Sequence, residues 1–117
     1  MPRLPKIVED RRQALGLTRA KLEAMIGEAI VDAYTDDEER VGIQTVVQDA
    51  IEVPFDTSVL GVRVRVEKID DLGDGLVAIC RHGREEQAIP ILDLPLQTPL
   101  PKGAEWIEAY RLWAGGG

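Results

Sequence analysis

Two periodicities divide this chain. As far as Ile51 its apolar residues recur every three or four positions, and from Gly61 to Ile91 they recur mostly every second. The first spacing keeps apolar side chains on one face of a helix, and the second keeps them on one face of a strand. A first helix is predicted from Pro5, which suits an opening helical turn, to Leu15, where Gly16 stops it. Its apolar face is thin: Ile7, Val8, Ala14 and Leu15. Thr18 is the expected N-cap of a second helix, whose stripe runs through Leu22, Met25, Ile26, Ala29, Ile30 and Ala33. Thr35 restarts the pattern, and Ile43, Val46, Val47, Ala50 and Ile51 form the next stripe. Pro54 closes it, because proline disfavours helical geometry in the residue before it.

In "GVRVRVEKI" Val62, Val64 and Val66 alternate with Arg63, Arg65 and Glu67, the pattern of a strand with one wet face. "DDLGDG" is a turn, "LVAICR" a second strand, "HGRE" another turn and "EQAIPIL" a third strand, with Pro90 placing it at an edge or an end. "PLQTPLPKG" is an extended connector. Beyond it Trp106, Tyr110 and Trp113 stand at i, i+4 and i+7 on a short terminal helix, as an aromatic lid on the core or as a ligand-stacking platform. The fold class expected is α+β: N-terminal helices, then a small antiparallel meander with a barrel-like curl as one option, then a short C-terminal helix.

Length and composition add bounds. At 117 residues, 44% of them hydrophobic, the chain fits one compact domain that folds without staples. Its one cysteine, Cys80, excludes an internal disulfide and a cysteine-based zinc site, and points to a reducing compartment. No apolar run approaches a membrane span and no secretory signal opens the chain, so a cytoplasmic protein with no membrane partner is expected. The formal charge of −7 is unevenly spread. Residues 1–21 carry six basic and two acidic side chains, +4, and the remainder carries 8 basic and 19 acidic, −11. A body that acidic repels phosphate backbones, which argues against nucleic-acid binding by the main domain and for a cation or a basic protein partner.

The acids gather twice. In "VDAYTDDEER" Asp36, Asp37, Glu38 and Glu39 are consecutive and Asp32 stands just upstream. One reading is a helix start: Thr35 and Glu38 form a capping box, Asp36 and Asp37 sit in the first turn where the macrodipole favours anions, and Asp36 meets Arg40 at i+4. The other is a hard-cation site, since calcium takes six to eight oxygens from carboxylates, carbonyls and water, and a helix joint can gather them. The preceding helix's C-terminal carbonyls favour a cation there, and the following helix's N-terminus opposes it. The second cluster is Asp70, Asp71 and Asp74 in the glycine-containing turn. It is not an EF-hand: counting Asp70 as position one puts Leu72 at three and Arg81 at twelve, where carboxylates belong. Enzymatic signals are scarce. His82 lies in a turn, Cys80 alternates within a strand, no nucleophile–base set is evident and no phosphate-cradling glycine loop appears.

Taken in order, "IVDAYTDDEERVG", "VPF" at Val53-Pro54-Phe55, "DLGDG" between strands, "AIPILDL" at 88–94 and "EWIEAYRLW" resemble the small acidic bacterial calcium-binding proteins of the cyanobacterial CcbP type. The resemblance covers residues 29–113 and leaves the early helix outside. It implies non-enzymatic calcium binding without EF-hands, by acidic surface clusters, in a buffering or signalling role. Carried onto matching positions, it implies Asp32, Asp37 and Glu38 as ligands. The chain departs from the family's pattern at Ile43, where an aromatic is expected, and at Gln48, where an acid is usual. The organisation expected is a helical extension at 1–28, a single α+β domain at 29–114 and a disordered tail at 115–117. Its candidate metal ligands are Asp32, Asp37, Glu38, Asp70, Asp71 and Asp74. An acidic, metal-free interaction module that docks a basic partner is the competing expectation.

Overall fold

The computed structural model describes residues 6–73, 75–97 and 99–116. Three expectations, for Pro5, Asp74 and Gly117, fall outside these residues. Helices α1 (Lys6–Ala14), α2 (Arg19–Ala29) and α3 (Asp36–Ala50) precede strands β1 (Phe55–Val59), β2 (Val62–Asp71), β3 (Leu76–His82) and β4 (Glu85–Pro90), and α4 (Ala104–Arg111) closes the chain. The fold is α+β. It divides into two compact units, one built from residues up to Val47 with those from Glu105 on, the other from Gln48–Ala104.

In the first unit both expected caps are formed. Thr18 Oγ1 accepts from the Lys21 N–H at 3.2 Å, and Thr35 Oγ1 accepts from the Glu38 N–H at 3.1 Å. The box at Thr35 differs in one bond: its hydroxyl donates to Glu38 Oε1 at 3.1 Å, where the usual box has the backbone N–H of the cap as donor. Arg40 reaches forward to Gln44 Oε1 at 3.4 Å instead of back to Asp36. Helix α2 stops at Ala29, short of its sequence stripe, where β-branched Ile30 and Val31 weaken the helix. On α1, Val8 is buried but Ile7 is 59% exposed. The buried polar member there is Arg11, whose Nη1 donates to Glu108 Oε2 at 3.2 Å. Arg12 and Arg111 also reach Glu108 Oε1, at 3.1 and 3.4 Å, so one carboxylate with no solvent exposure serves three guanidinium groups. Burial pushes the Arg111 pKa down, with the opposing pull of Glu108 second.

Tyr110 of α4 and Trp113, in the π-helical turn Leu112–Gly116 that follows it, pack together. Tyr110 is buried and accepts from Gln44 Nε2 at 3.2 Å, and its ring stacks on Trp113 with centroids 6.1 Å apart. Trp113 Nε1 donates to Glu39 Oε1 at 3.3 Å.

The second unit holds one antiparallel sheet in the order β1-β2-β3-β4. It has four strands where the sequence predicts three, and it is open: β1 and β4 are its edges, so the barrel option is not realised. The missed strand, "FDTSV", is short; Thr57 is fully buried and Phe55 and Val59 half-buried on the same face. A bulge at Glu67 shifts the register from Val66↔Cys80 to Lys68↔Ile79, which brings Val66 and Ile69, three residues apart, onto one face. The connector after β4 covers part of that face: Ile91 and Leu94 are buried, and Pro95 O accepts from Thr57 Oγ1 at 2.6 Å. At Gly103 an added Cβ would lie 2.0 Å from Ala50 O, so the end of α3 and the start of α4 meet backbone to backbone. Gln48 Nε2 donates to Ile69 O at 3.2 Å, a bond that needs its amide N–H and that an ionised carboxylate at this position could not make.

Candidate metal site

The joint between α2 and α3 is a tight reversal. The Ile30 N–H closes on Ile26 O at 3.1 Å, the Ala33 N–H bonds Ile30 O at 2.9 Å, and Thr35 then caps the next helix. Close packing depends on Gly42, where an added Cβ would sit 2.7 Å from Ala29 O. This approach shapes an open groove of about 490 Å³ along the joint. Its polar lining is four carboxylates, Glu28, Asp32, Asp37 and Glu38; Val31, Val41 and the joint's small residues supply the rest, and no Lys or Arg takes part.

The three acids expected in the first cluster therefore share one groove, brought together by the reversal. Glu28 joins them, which sequence reasoning missed by ending the helical extension at that residue. Its spacing of four from Asp32 was the available signal, since residues four apart on a helix neighbour each other. All four side chains are exposed. The Glu38 carboxylate accepts from the Thr35 hydroxyl; the other three make no hydrogen bond or ion pair among the described residues. Nor do any three acidic, histidine or cysteine side chains among the described residues converge closely enough to hold a metal ion. The groove thus gathers hard oxygen donors, the type that suits calcium or magnesium, without fixing them into a coordination shell.

The second cluster is arranged differently. Asp70 Oδ1 accepts from the Asp71 N–H at 2.9 Å, and Asp71 Oδ1 accepts from the Gly73 N–H at 2.8 Å. Lys68 Nζ lies 3.6 Å from Asp70 Oδ2. Both carboxylates thus close and brace their own turn, in the manner of an Asx turn. Elsewhere, His82 is exposed with Nδ1 3.1 Å from Arg63 O, and burial raises the pKa of the Cys80 thiol.

No family model matches the chain, and no curated protein matches it in sequence. Among solved structures it is similar to the crystal structure of Anabaena CcbP, at 18% sequence identity and a TM-score of 0.62, with 83% of this chain and 91% of that chain covered. The chain therefore has a CcbP-like fold. At that identity the likeness speaks for the fold alone.

Proposed function

We propose that the protein binds calcium, without catalysing a reaction, at the α2–α3 groove, with Asp32, Asp37 and Glu38 as ligands and Glu28 as a fourth donor. One observation carries the reading: four carboxylates from separate parts of the helix joint line a single groove that holds no basic side chain. Uncompensated negative charge raises the local concentration of divalent cations, and carboxylate oxygen suits a hard ion. The helix-start reading accounts for Glu38, which is held by its cap, but gives Asp32 and Glu28 nothing to do. Calcium, when bound, would supply charge neutralisation and draw the side chains of the joint together. The Asp70, Asp71 and Asp74 turn is the secondary candidate, and occupying it requires the Asx bonds to share their oxygens.

Because the donors are exposed and unfixed, their ordering opposes binding, and the affinity expected lies in the weak range of roughly 10⁻⁵–10⁻³ M. Such a site suits buffering or signalling in a bacterial cytoplasm. Calorimetric titration in metal-free buffer tests the reading directly. Heat with calcium in that range, and melting points raised by calcium more than by magnesium at matched ionic strength, are expected, because only selective binding to the native state shifts the melting point selectively. No heat at millimolar calcium, or equal response to both ions, rejects it and favours an acidic module that meets a basic partner. Among the described residues no helix is long and apolar enough to cross a membrane.

A further inference from the structure

The α2–α3 groove has an apolar side that a calcium ion does not use. Val31 and Val41, 75% and 55% exposed, line it together with Ala29 and Ala33, and in the same joint Tyr34 is 92% exposed. Helix α3 buries Ile43 and Val47, and Val41, two positions before Ile43, points away from that buried face. Exposed apolar residues scattered singly need no explanation, whereas a group that lines one groove with a polar rim is the form an interaction site takes.

The rim here has one sign of charge. Glu28, Asp32, Asp37 and Glu38 stand around the apolar wall, with no Lys or Arg among the lining residues. The carboxylates of Glu28, Asp32 and Asp37 make no hydrogen bond or ion pair among the described residues. A complementary occupant is therefore apolar at its centre and cationic at its edges. From residue 22 on, the chain carries 8 basic and 19 acidic side chains, which repels nucleic acids and anionic lipid surfaces. A protein segment whose aliphatic side chains are flanked by Lys or Arg meets both requirements.

We propose that, with calcium absent, this groove takes a basic amphipathic segment of another protein, and that calcium releases it. The segment's aliphatic side chains lie against Val31 and Val41, and its cations pair with Glu28, Asp32 and Asp37. The release rests on the calcium reading above: oxygens that hold the ion cannot also pair with an ammonium or guanidinium group, and the ion's charge removes much of the attraction. The coupling is reciprocal, so the segment weakens calcium by the same factor as calcium weakens the segment. Competition for shared carboxylates gives a loose site an output without a change of fold.

Fluorescence anisotropy of a labelled leucine–lysine peptide of helical pattern, titrated with the full chain at physiological ionic strength, reads the docking. A serine–lysine peptide of equal charge reports charge alone, and calorimetry of the same protein reads calcium separately. With calcium chelated, the leucine–lysine peptide should bind at least about fivefold more tightly than the serine–lysine peptide. Millimolar calcium should then weaken it at least about fivefold, and magnesium at matched ionic strength should weaken it less. Val31→Ser with Val41→Ser keeps every acid and, since both residues are more than half exposed, should keep the melting temperature while losing the preference for leucine. Equal binding of the two peptides, or a double variant that binds like the parent, would overturn the docking. A peptide that stays bound while calorimetry shows calcium bound would overturn the release and leave the calcium reading standing. Absence of calcium heat would overturn that reading and the release with it, and the peptide preference would still decide the docking.

Discussion

Two acidic clusters of similar composition are put to different uses. At the α2–α3 joint, the carboxylates of Asp32, Asp37 and Glu28 have no hydrogen-bond or ion-pair partner among the described residues, and the groove they line holds no basic side chain. At the β2–β3 turn, Asp70 and Asp71 spend their oxygens on the N–H groups of Asp71 and Gly73. Both stretches are rich in aspartate, so residue type does not separate them; what separates them is where the backbone donors are. A tight turn exposes N–H groups within reach of its own side chains, and an aspartate there becomes part of the turn. At the joint the Ile30, Ala33 and Glu39 N–H groups bond backbone oxygens and the Glu38 N–H bonds its cap, and the carboxylates of Glu28, Asp32 and Asp37 accept from no N–H among the described residues.

The comparison can be broken from below by removing the scaffold of the helical unit. Glu108→Gln leaves Arg11, Arg12 and Arg111 without the charge they share, and loss of one member of a buried ion cluster costs about 3–5 kcal/mol. A drop of that size in chemical denaturation is expected, with the joint's calcium response lost along with the unit. Gly42→Ala acts more locally. Its Cβ would meet Ala29 O at 2.7 Å, and overpacking costs about 1–3 kcal/mol, partly offset by alanine's higher helix propensity. A net loss of about 1 kcal/mol in urea unfolding is expected, with weaker calcium binding because the groove widens.

Smaller changes sharpen the contrast. Asp71→Ala removes the bond to the Gly73 N–H and should cost about 0.5–1.5 kcal/mol without metal. Asp32→Asn removes no hydrogen bond or ion pair among the described residues and should move metal-free stability by less than about 0.5 kcal/mol while reducing calcium-induced stabilisation. Glu38→Gln falls between: glutamine's carbonyl oxygen can still accept from the Thr35 hydroxyl, so the metal-free melting temperature should hold, but a neutral amide is a poorer calcium ligand. If Asp32→Asn and Glu38→Gln both keep the parent's calcium response, the acids of the joint only start a helix.

Much of the fold was legible because it follows from local rules. The caps at Thr18 and Thr35 and the alternation of Val62, Val64 and Val66 each concern residues a few positions apart. The features that escaped are long-range or weakly patterned. Glu108 gathers arginines 96 and 97 residues away, a partnership no local spacing encodes. The strand Phe55–Val59 is too short for a firm alternation, and whether a sheet closes depends on its two edges, not on any one strand. In the first cluster the resemblance singled out Asp32, Asp37 and Glu38 as expected ligands, and the groove they line together with Glu28 depends on the reversal at Ile30–Thr35. In the second, the sequence marked Asp70 and Asp71 but could not show that their oxygens were already engaged.

A calcium titration followed by two-dimensional ¹H–¹⁵N NMR on the metal-free full chain compares the two clusters in one measurement. Saturable, calcium-selective shifts concentrated on the backbone amides of residues 28–41, with magnesium producing little, are the predicted result. Shifts confined to residues 70–75, or no saturable shifts in either region at millimolar calcium, would contradict the assignment of the ion to the helix joint.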